Sequence, residues 1–471
     1  MTASGGAPTG GENDLFPRIS TGNAQVDNVL GGGLPANSIN IVMGQPGTGK
    51  TVLAEQLLFH NAGGDRPIVY VSTLSEPMAK MVSYVQRFSY FDESKLGTEI
   101  QYEDVGHLLA RDGPAALVPW ISELIKRLSP KLLVIDSFRA IHDLSSSPLE
   151  TRRMVSDLAG LLTAYDVTVF LLGEYTVADI ERYPEFAVSD SIIQLARQTL
   201  GTRDERYLRV LKLRGSSYRE GQHAFRITRD GIELFPRLVS PRVAGTYTPR
   251  LERASTGVHG LDAMLEGGVW SGSTTLILGP TGSGKTTVAM HFALEGVAKR
   301  ESTLYVNFQE NPAQLARSFT LLGADLVKAR ESGLELMYVS PVELQIDSIV
   351  VRIFDRIKDG KIRRVVIDAV GDLVIAASDT QRLHDYMYAL VQHFAVNGVT
   401  SLLTVESGIS GDGRHELSEQ RFSYMSDNVL AISLGGEERT RRTIRVMKTR
   451  NSGHDPVVRE LEITSAGARV S

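Results

Sequence analysis

Short, unbroken apolar runs punctuate this chain, and each gives way to a polar or glycine-rich turn. Ser38–Met43, Ile68–Ser72, Lys131–Asp136 and Val167–Leu172 form one series, and Thr274–Leu278, Thr303–Phe308, Arg363–Asp368 and Val399–Val405 form a second. A run without polar alternation reads as a strand buried on both faces of a parallel sheet. Segments such as Val52–His60 and Val288–Glu295 carry helical spacing. Strand alternating with helix predicts an α/β fold with two tandem domains, each a mostly parallel twisted sheet flanked by helices. Between the second and third strand of each series only helical stretches are expected.

The two series are copies. Ile19-Ser20-Thr21-Gly22 leads to Asp27, Leu30 and Gly32-Gly33, as Ala254-Ser255-Thr256-Gly257 leads to Asp262, Leu265 and Gly267-Gly268. Ser20 to Ser255 and Gly44 to Gly279 are both steps of 235 positions, which marks an internal duplication. The expected division is a disordered Gly/Ser/Thr/Pro-rich tail at 1–14, a first domain at 15–240, a linker at 241–253 and a second domain at 254–471.

Composition narrows the chemistry. The 471 residues, 42% hydrophobic, fit two ordinary cores. The absence of cysteine excludes disulfides, thiol catalysis and Cys-ligated zinc. No apolar run is long enough to span a bilayer, and no secretory signal is evident, so a cytoplasmic protein without membrane attachment is expected. A net charge of −5 argues against a dedicated nucleic-acid binder, though local basic patches remain open.

Each copy contains G-x-x-x-x-G-K-[ST]: Gly44-Gln45-Pro46-Gly47-Thr48-Gly49-Lys50-Thr51 and Gly279-Pro280-Thr281-Gly282-Ser283-Gly284-Lys285-Thr286. Glycines let successive backbone N–H groups turn onto a phosphate, the lysine reaches the outer phosphates, and the threonine hydroxyl meets Mg²⁺. The following helix points its positive end at the anion. The expected ATP contacts are Gly44, Gly47, Thr48, Gly49, Lys50, Thr51 and Val52 in the first copy. In the second they are Gly279, Thr281, Gly282, Ser283, Gly284, Lys285, Thr286 and Thr287. Asp136 and Asp368, each ending an apolar run, are expected to hold a Mg²⁺-bound water beside Thr51 and Thr286.

Each copy closes with a K-x-R pair, Lys212 and Arg214 or Lys448 and Arg450. Residues two apart on a strand share a face. Paired cations beside a turn can contact a phosphate or line a solvated face, and the pattern alone favours the solvated face.

Together these residues resemble the KaiC family of circadian-clock ATPases within the RecA superfamily. The more specific pieces are Asp27–Pro35 (D-x-x-L-G-G-G-L-P), Lys212–Ser216 (K-L-R-G-S) and Lys448–Asp455 (K-T-R-N-S-G-H-D). The resemblance implies two RecA-like domains per chain, a homo-hexamer of stacked rings with ATP between subunits, and K-x-R cations acting on the neighbour's nucleotide. It implies a pair of glutamates that activate water or hydroxyl. Here Phe308-Gln309-Glu310 keeps one, and the first copy has Leu74 and Ser75 at those positions with Glu76 one residue late. Glu310 and Glu76 are therefore the candidate bases, acting with Lys50 and Lys285. The resemblance also implies autophosphorylation in the second domain, where Arg421-Phe422-Ser423-Tyr424-Met425-Ser426-Asp427 offers Ser423 ahead of Tyr424 as acceptor. The first copy, Phe186-Ala187-Val188-Ser189-Asp190, has no hydroxyl at those two places. The family's long C-terminal tail, which recruits an activating partner, has no counterpart in the quoted stretches, so regulation through that partner is not expected. A regulatory partner on the first-domain ring remains an expectation.

The leading function is a slow hexameric ATPase with serine autokinase capacity, used in timing or signalling. The alternatives are a non-catalytic assembly switch driven by ATP binding, and a RecA-type DNA recombinase or helicase. No interleaved basic and aromatic stretch of the kind that holds single strands supports the last.

Overall fold

The computed structural model describes residues 17–73, 78–145, 147–200, 203–241, 248–340, 345–377, 380–406, 423–435, 441–464 and 467–471. The expected tail at 1–14, Glu76 with its neighbours Leu74 and Ser75, and Arg421-Phe422 lie outside these residues. The chain divides into two compact units, Met1–Arg237 and Leu238–Ser471.

Each unit is built on a nine-stranded sheet. In the first, the order runs Ile100–Asp104, Ile68–Ser72, Leu132–Asp136, Thr168–Gly173, Ile39–Met43, Ser191–Leu200, Arg203–Leu213, His223–Thr228, Gly231–Phe235. The first six are parallel, and the last three continue antiparallel. The second sheet repeats this plan from Leu334–Tyr338 through Thr303–Asn307, Arg364–Asp368, Thr400–Glu406, Thr274–Gly279 and Asn428–Gly435 to Arg441–Thr449, Arg459–Thr464 and Gly467–Val470.

The parallel strands are apolar on both sides because helices cover both faces. Leu132 and Val134 point into one core, and Leu133 and Ile135 into the other. Val365 and Ile367 likewise oppose Val366. Each such side chain contributes about 1.5–3 kcal/mol by leaving water.

One expectation needs correction. Each repeat places an edge strand, Ile100–Asp104 or Leu334–Tyr338, where only helices were expected. These strands are only partly buried and carry Gln101 and Glu103 or Glu335, so they lack the unbroken apolar signature.

The repeated signatures also have physical roles. Asp27 accepts from the Thr21 backbone N–H at 2.8 Å and from its hydroxyl at 2.7 Å, and Asp262 accepts from Thr256 at 2.7 Å in both cases. Arg253 donates to the Leu265 and Gly268 carbonyls at 3.3 and 2.8 Å and to the Ser452 hydroxyl at 2.7 Å. Arg18 makes the same clamp on Leu30, Gly33 and Ser216. The double-glycine turn is thereby tied to the turn after each K-x-R pair. Arg253, at the end of the expected linker, already pairs as a strand with Trp270.

Candidate phosphate-binding sites

Both glycine-rich loops leave the centre of their sheet and enter a helix, Lys50–Asn61 or Lys285–Ala298. The residue before each helix, Gly49 or Gly284, has φ of 104° or 103° and caps without a side chain. A Cβ on Gly284 would displace only the tip of the Ile463 side chain, so it is the left-handed backbone that favours glycine here. Neither helix has an acid in its first turn. Its free N–H groups and positive end are left for an anion.

The loop lysines sit at the centre of each turn. Lys50 Nζ donates to the Gly44 and Gln45 carbonyls at 2.9 and 3.2 Å. Lys285 Nζ donates to Gly279 and Pro280 at 2.8 and 2.9 Å. Burial lowers both amines below the ordinary lysine value, opposed by Glu174 and Asp136 in the first repeat and by Glu406 and Asp368 in the second. Thr48 donates to Gln45 O at 2.8 Å, whereas the matching Ser283 hydroxyl is buried without a partner. An orphaned hydroxyl inside a nest of N–H groups suits a phosphate oxygen. Gly47 and Gly282 take left-handed φ of 73° and 76°. Thr281 is exposed, and Val52, Thr286 and Thr287 are half-buried in the first turns of the helices.

The expected metal ligands fall beside the loops. Thr51 Oγ1 lies 3.1 Å from Asp136 Oδ2, which also accepts from the Tyr70 hydroxyl at 2.5 Å. In the second repeat Asp368 accepts from Tyr305 at 2.8 Å and from Thr404. No cluster of three or more His, Cys, Asp or Glu suited to a metal occurs among the described residues. One hydroxyl and one carboxylate per loop fit Mg²⁺, which takes few protein ligands and completes its shell with phosphate and water. When bound, the ion neutralises phosphate charge. Tyr70 and Tyr305, one repeat length apart, were not singled out from the sequence although both orient the aspartates.

Glu310 lies just beyond the strand Thr303–Asn307. Its backbone N–H donates to Asn307 Oδ1 at 2.8 Å, and its Oε2 is buried without a partner. Gln309 Nε2 donates to Asp372 at 3.1 Å. Burial raises Asp372 above the ordinary carboxylate value, against the Gln309 bond.

The K-x-R pairs are not at their own loops. Lys212 pairs across the sheet with Ile192, which pairs with Ile41, and the Arg214 N–H bonds to Asp190, whose carboxylate accepts from Ile39 N–H at 2.9 Å. Arg214 is thus level with the start of the strand whose far end carries the loop, about 15 Å away. Lys212 Nζ donates to Phe186 O at 3.1 Å. Lys448 donates to Ser423 O and Ser426 O at 2.8 and 2.7 Å, and Arg450 to Tyr424 O at 2.7 Å. Ser423 is half-buried and Tyr424 exposed. The sequence-expected acceptor therefore sits directly on the second cation pair.

Comparison with known proteins agrees with this duplicated plan. A family model described as the KaiC ATPase matches residues 19–239 and again 254–471. The circadian clock oscillator protein KaiC of Picosynechococcus sp. is 30% identical, with 98% of this chain and 92% of that protein covered. KaiC of Synechococcus elongatus is 28% identical over 97% of this chain and 89% of its own length, and KaiC 1 of Synechocystis sp. is 28% identical over 94% and 86%. With both repeats matched across nearly their full length, the chain belongs to the KaiC family of ATPases.

Proposed function

We propose that this chain is an ATPase that binds Mg-ATP in both repeats, assembles as a homo-hexamer with nucleotide at subunit boundaries, and hydrolyses slowly. In this reading it phosphorylates itself on Ser423 and acts in timing or signalling, as the names of its relatives suggest. One observation carries the assembly. The Lys212–Arg214 and Lys448–Arg450 cations lie at the far end of the sheet from their own phosphate loops. A phosphate site completed by such cations must take them from another copy. Lys50 and Lys285 hold the outer phosphates, Thr51 with Asp136 and Thr286 with Asp368 hold Mg²⁺, and Glu310 is the candidate acceptor of the Ser423 hydroxyl proton in the second repeat. Transfer and hydrolysis depend on positioning and charge neutralisation.

A second reading, ATP binding as an assembly switch, is favoured for the first repeat by Leu74 and Ser75 at the positions of the paired glutamates. Native mass measurement with and without Mg-ATP, on wild type and on Lys50→Ala/Lys285→Ala, tests the proposal. A hexamer is expected only with nucleotide and intact loops. A hexamer in the nucleotide-free double variant would refute ATP-driven assembly, and steady phosphate release separates enzyme from switch.

A further inference from the structure

In both repeats the strand beside the loop strand runs into a glutamate that the motifs do not use. Glu406 ends Thr400–Glu406 and is the register partner of Gly279, the first residue of the second loop. In the first repeat Met43 pairs with Gly173, which brings Glu174 level with Gly44. Glu174 and Glu406 are 232 positions apart, the same step that separates Asp136 from Asp368. They are therefore a repeated pair, as the aspartates are. Neighbouring strands lie about 4.8 Å apart, so each glutamate starts beside the first glycine of its loop, close enough to act on the loop lysine. Both are exposed at the carboxyl end of the parallel sheet, where ligands of such sheets bind.

Among the described residues, the other acids near the loops are committed or unmatched. Asp136 and Asp368 are held by tyrosine hydroxyls. Asp372 is buried and bonded to Gln309. Glu310 has no acid at the matching position of the first repeat, where Ser75 stands and Glu76, outside the described residues, follows one residue late. The glutamate beside the first loop glycine thus recurs in both copies with its side chain open to the site.

We propose that Glu174 and Glu406 are catalytic carboxylates of the two repeats, each orienting and deprotonating the water that attacks the γ-phosphorus of ATP. The inference rests on the ATPase reading above. In the step, the water oxygen forms a bond to the γ-phosphorus, and the bond from that phosphorus to the β,γ-bridging oxygen breaks. The electron pair leaves with ADP, the water proton passes to the glutamate, and the glutamate later releases it to solvent. No oxidant or further reactant is needed. Before nucleotide enters, each glutamate acts electrostatically on the loop lysine of its own repeat. The phosphates then take the lysine and free the carboxylate for water.

Full-length Glu174→Gln, Glu406→Gln and the double variant are compared with wild type by phosphate release and by titration with a fluorescent ATP analogue. Both side chains are exposed, and circular dichroism checks folding. The double variant is expected to bind the analogue within about threefold of wild type while turnover falls by about 10²-fold or more, and each single variant removes its own repeat's share. Unchanged release in the double variant overturns the inference and leaves the ATPase reading intact. Tighter binding with unchanged release also overturns it, assigning the glutamates only to neutralising the lysines. No release from wild type removes the ATPase reading and this inference together.

Discussion

The Tyr102 hydroxyl donates to the Glu55 carboxylate at 2.8 Å inside the first repeat. Glu55 is sealed from water, and its second oxygen has no partner. The second repeat has Met290 one repeat length from Glu55, and Leu336 pairs with Tyr305 as Tyr102 pairs with Tyr70. The buried acid is private to one copy.

Burial raises Glu55 from its ordinary 4.5 to about 8, with the Tyr102 bond opposing and the Asp136 charge adding. The folded first repeat therefore holds this proton more tightly than the unfolded chain. Its contribution to stability is complete below about pH 4.5 and is lost as pH rises through about 8. The loss amounts to roughly a few kcal/mol. Glu55→Gln should match wild type near pH 4, exceed it already at pH 6 and exceed it most at pH 9. Each repeat holds one tryptophan, Trp120 or Trp270. Urea unfolding followed at Trp120 in a Trp270→Phe background reads the first repeat. Parallel pH dependence in the two proteins would exclude Glu55 as the cause.

The parallel core was legible because strands buried on both faces carry their signature in sequence, as Leu132–Asp136 and Arg364–Asp368 do. The edge strands were not, because half-buried polar residues such as Gln101 and Glu335 interrupt their apolar pattern. The glycine-rich loops and their lysines were legible from spacing, and Asp136 and Asp368 from the apolar runs they end. Glu174 and Glu406 follow apolar runs just as the aspartates do, but no motif drew attention to them. Glu55 was invisible, because nothing in a helical run distinguishes a buried glutamate from an exposed one until the strand carrying Tyr102 is in place.

Arg253 should anchor the second repeat. It closes on Leu265, Gly268 and Ser452 and lies 3.8 Å from the centre of the Trp270 ring. Arg253→Ala leaves two carbonyls without these donors and uncovers the ring, a loss of about 2–3 kcal/mol. Arg253→Lys recovers little, because an ammonium cannot span the forked set. The unfolding midpoint reported by Trp270 fluorescence measures both. A wild-type midpoint in Arg253→Ala would show the clamp to be dispensable.

Mixed rings test whether the second cation pair acts between subunits. Lys285→Ala removes the loop lysine, and Lys448→Ala/Arg450→Ala removes the cations. Each protein alone should lose second-repeat turnover. Co-assembled in equal amounts, they should recover about a quarter of the wild-type increment, since each head-to-tail interface needs one intact loop and one intact cation pair. The baseline is the triple variant, which retains only first-repeat turnover. No recovery on mixing would place both functions within one subunit.

Ser423 should become phosphorylated in preference to Tyr424. Its carbonyl accepts from Lys448 at 2.8 Å, and Arg450 holds the next carbonyl. A phosphate reached by those cations would lie next to the Ser423 hydroxyl, and the first repeat has Phe186 at the equivalent place on Lys212. Tyr424 is 46% exposed with its ring against His384, and its hydroxyl sits several bonds farther from the backbone. Transfer needs the acceptor oxygen in line with the γ-phosphorus at about 3–3.5 Å, a condition a short side chain on the anchored backbone can meet. The serine oxygen bonds to phosphorus, ADP leaves, and the hydroxyl proton passes to a nearby carboxylate, for which Glu310 is the candidate. The product adds about −1.5 to −2 charges beside Lys448 and Arg450, which draws those cations from the carbonyls they now hold. Mass spectrometry after incubation with Mg-ATP should find phosphate on Ser423 in wild type and none in Lys285→Ala, with Ser423→Ala not transferring the modification to Tyr424. An unmodified Ser423 after prolonged incubation would leave ATP turnover intact as a proposal and remove the kinase.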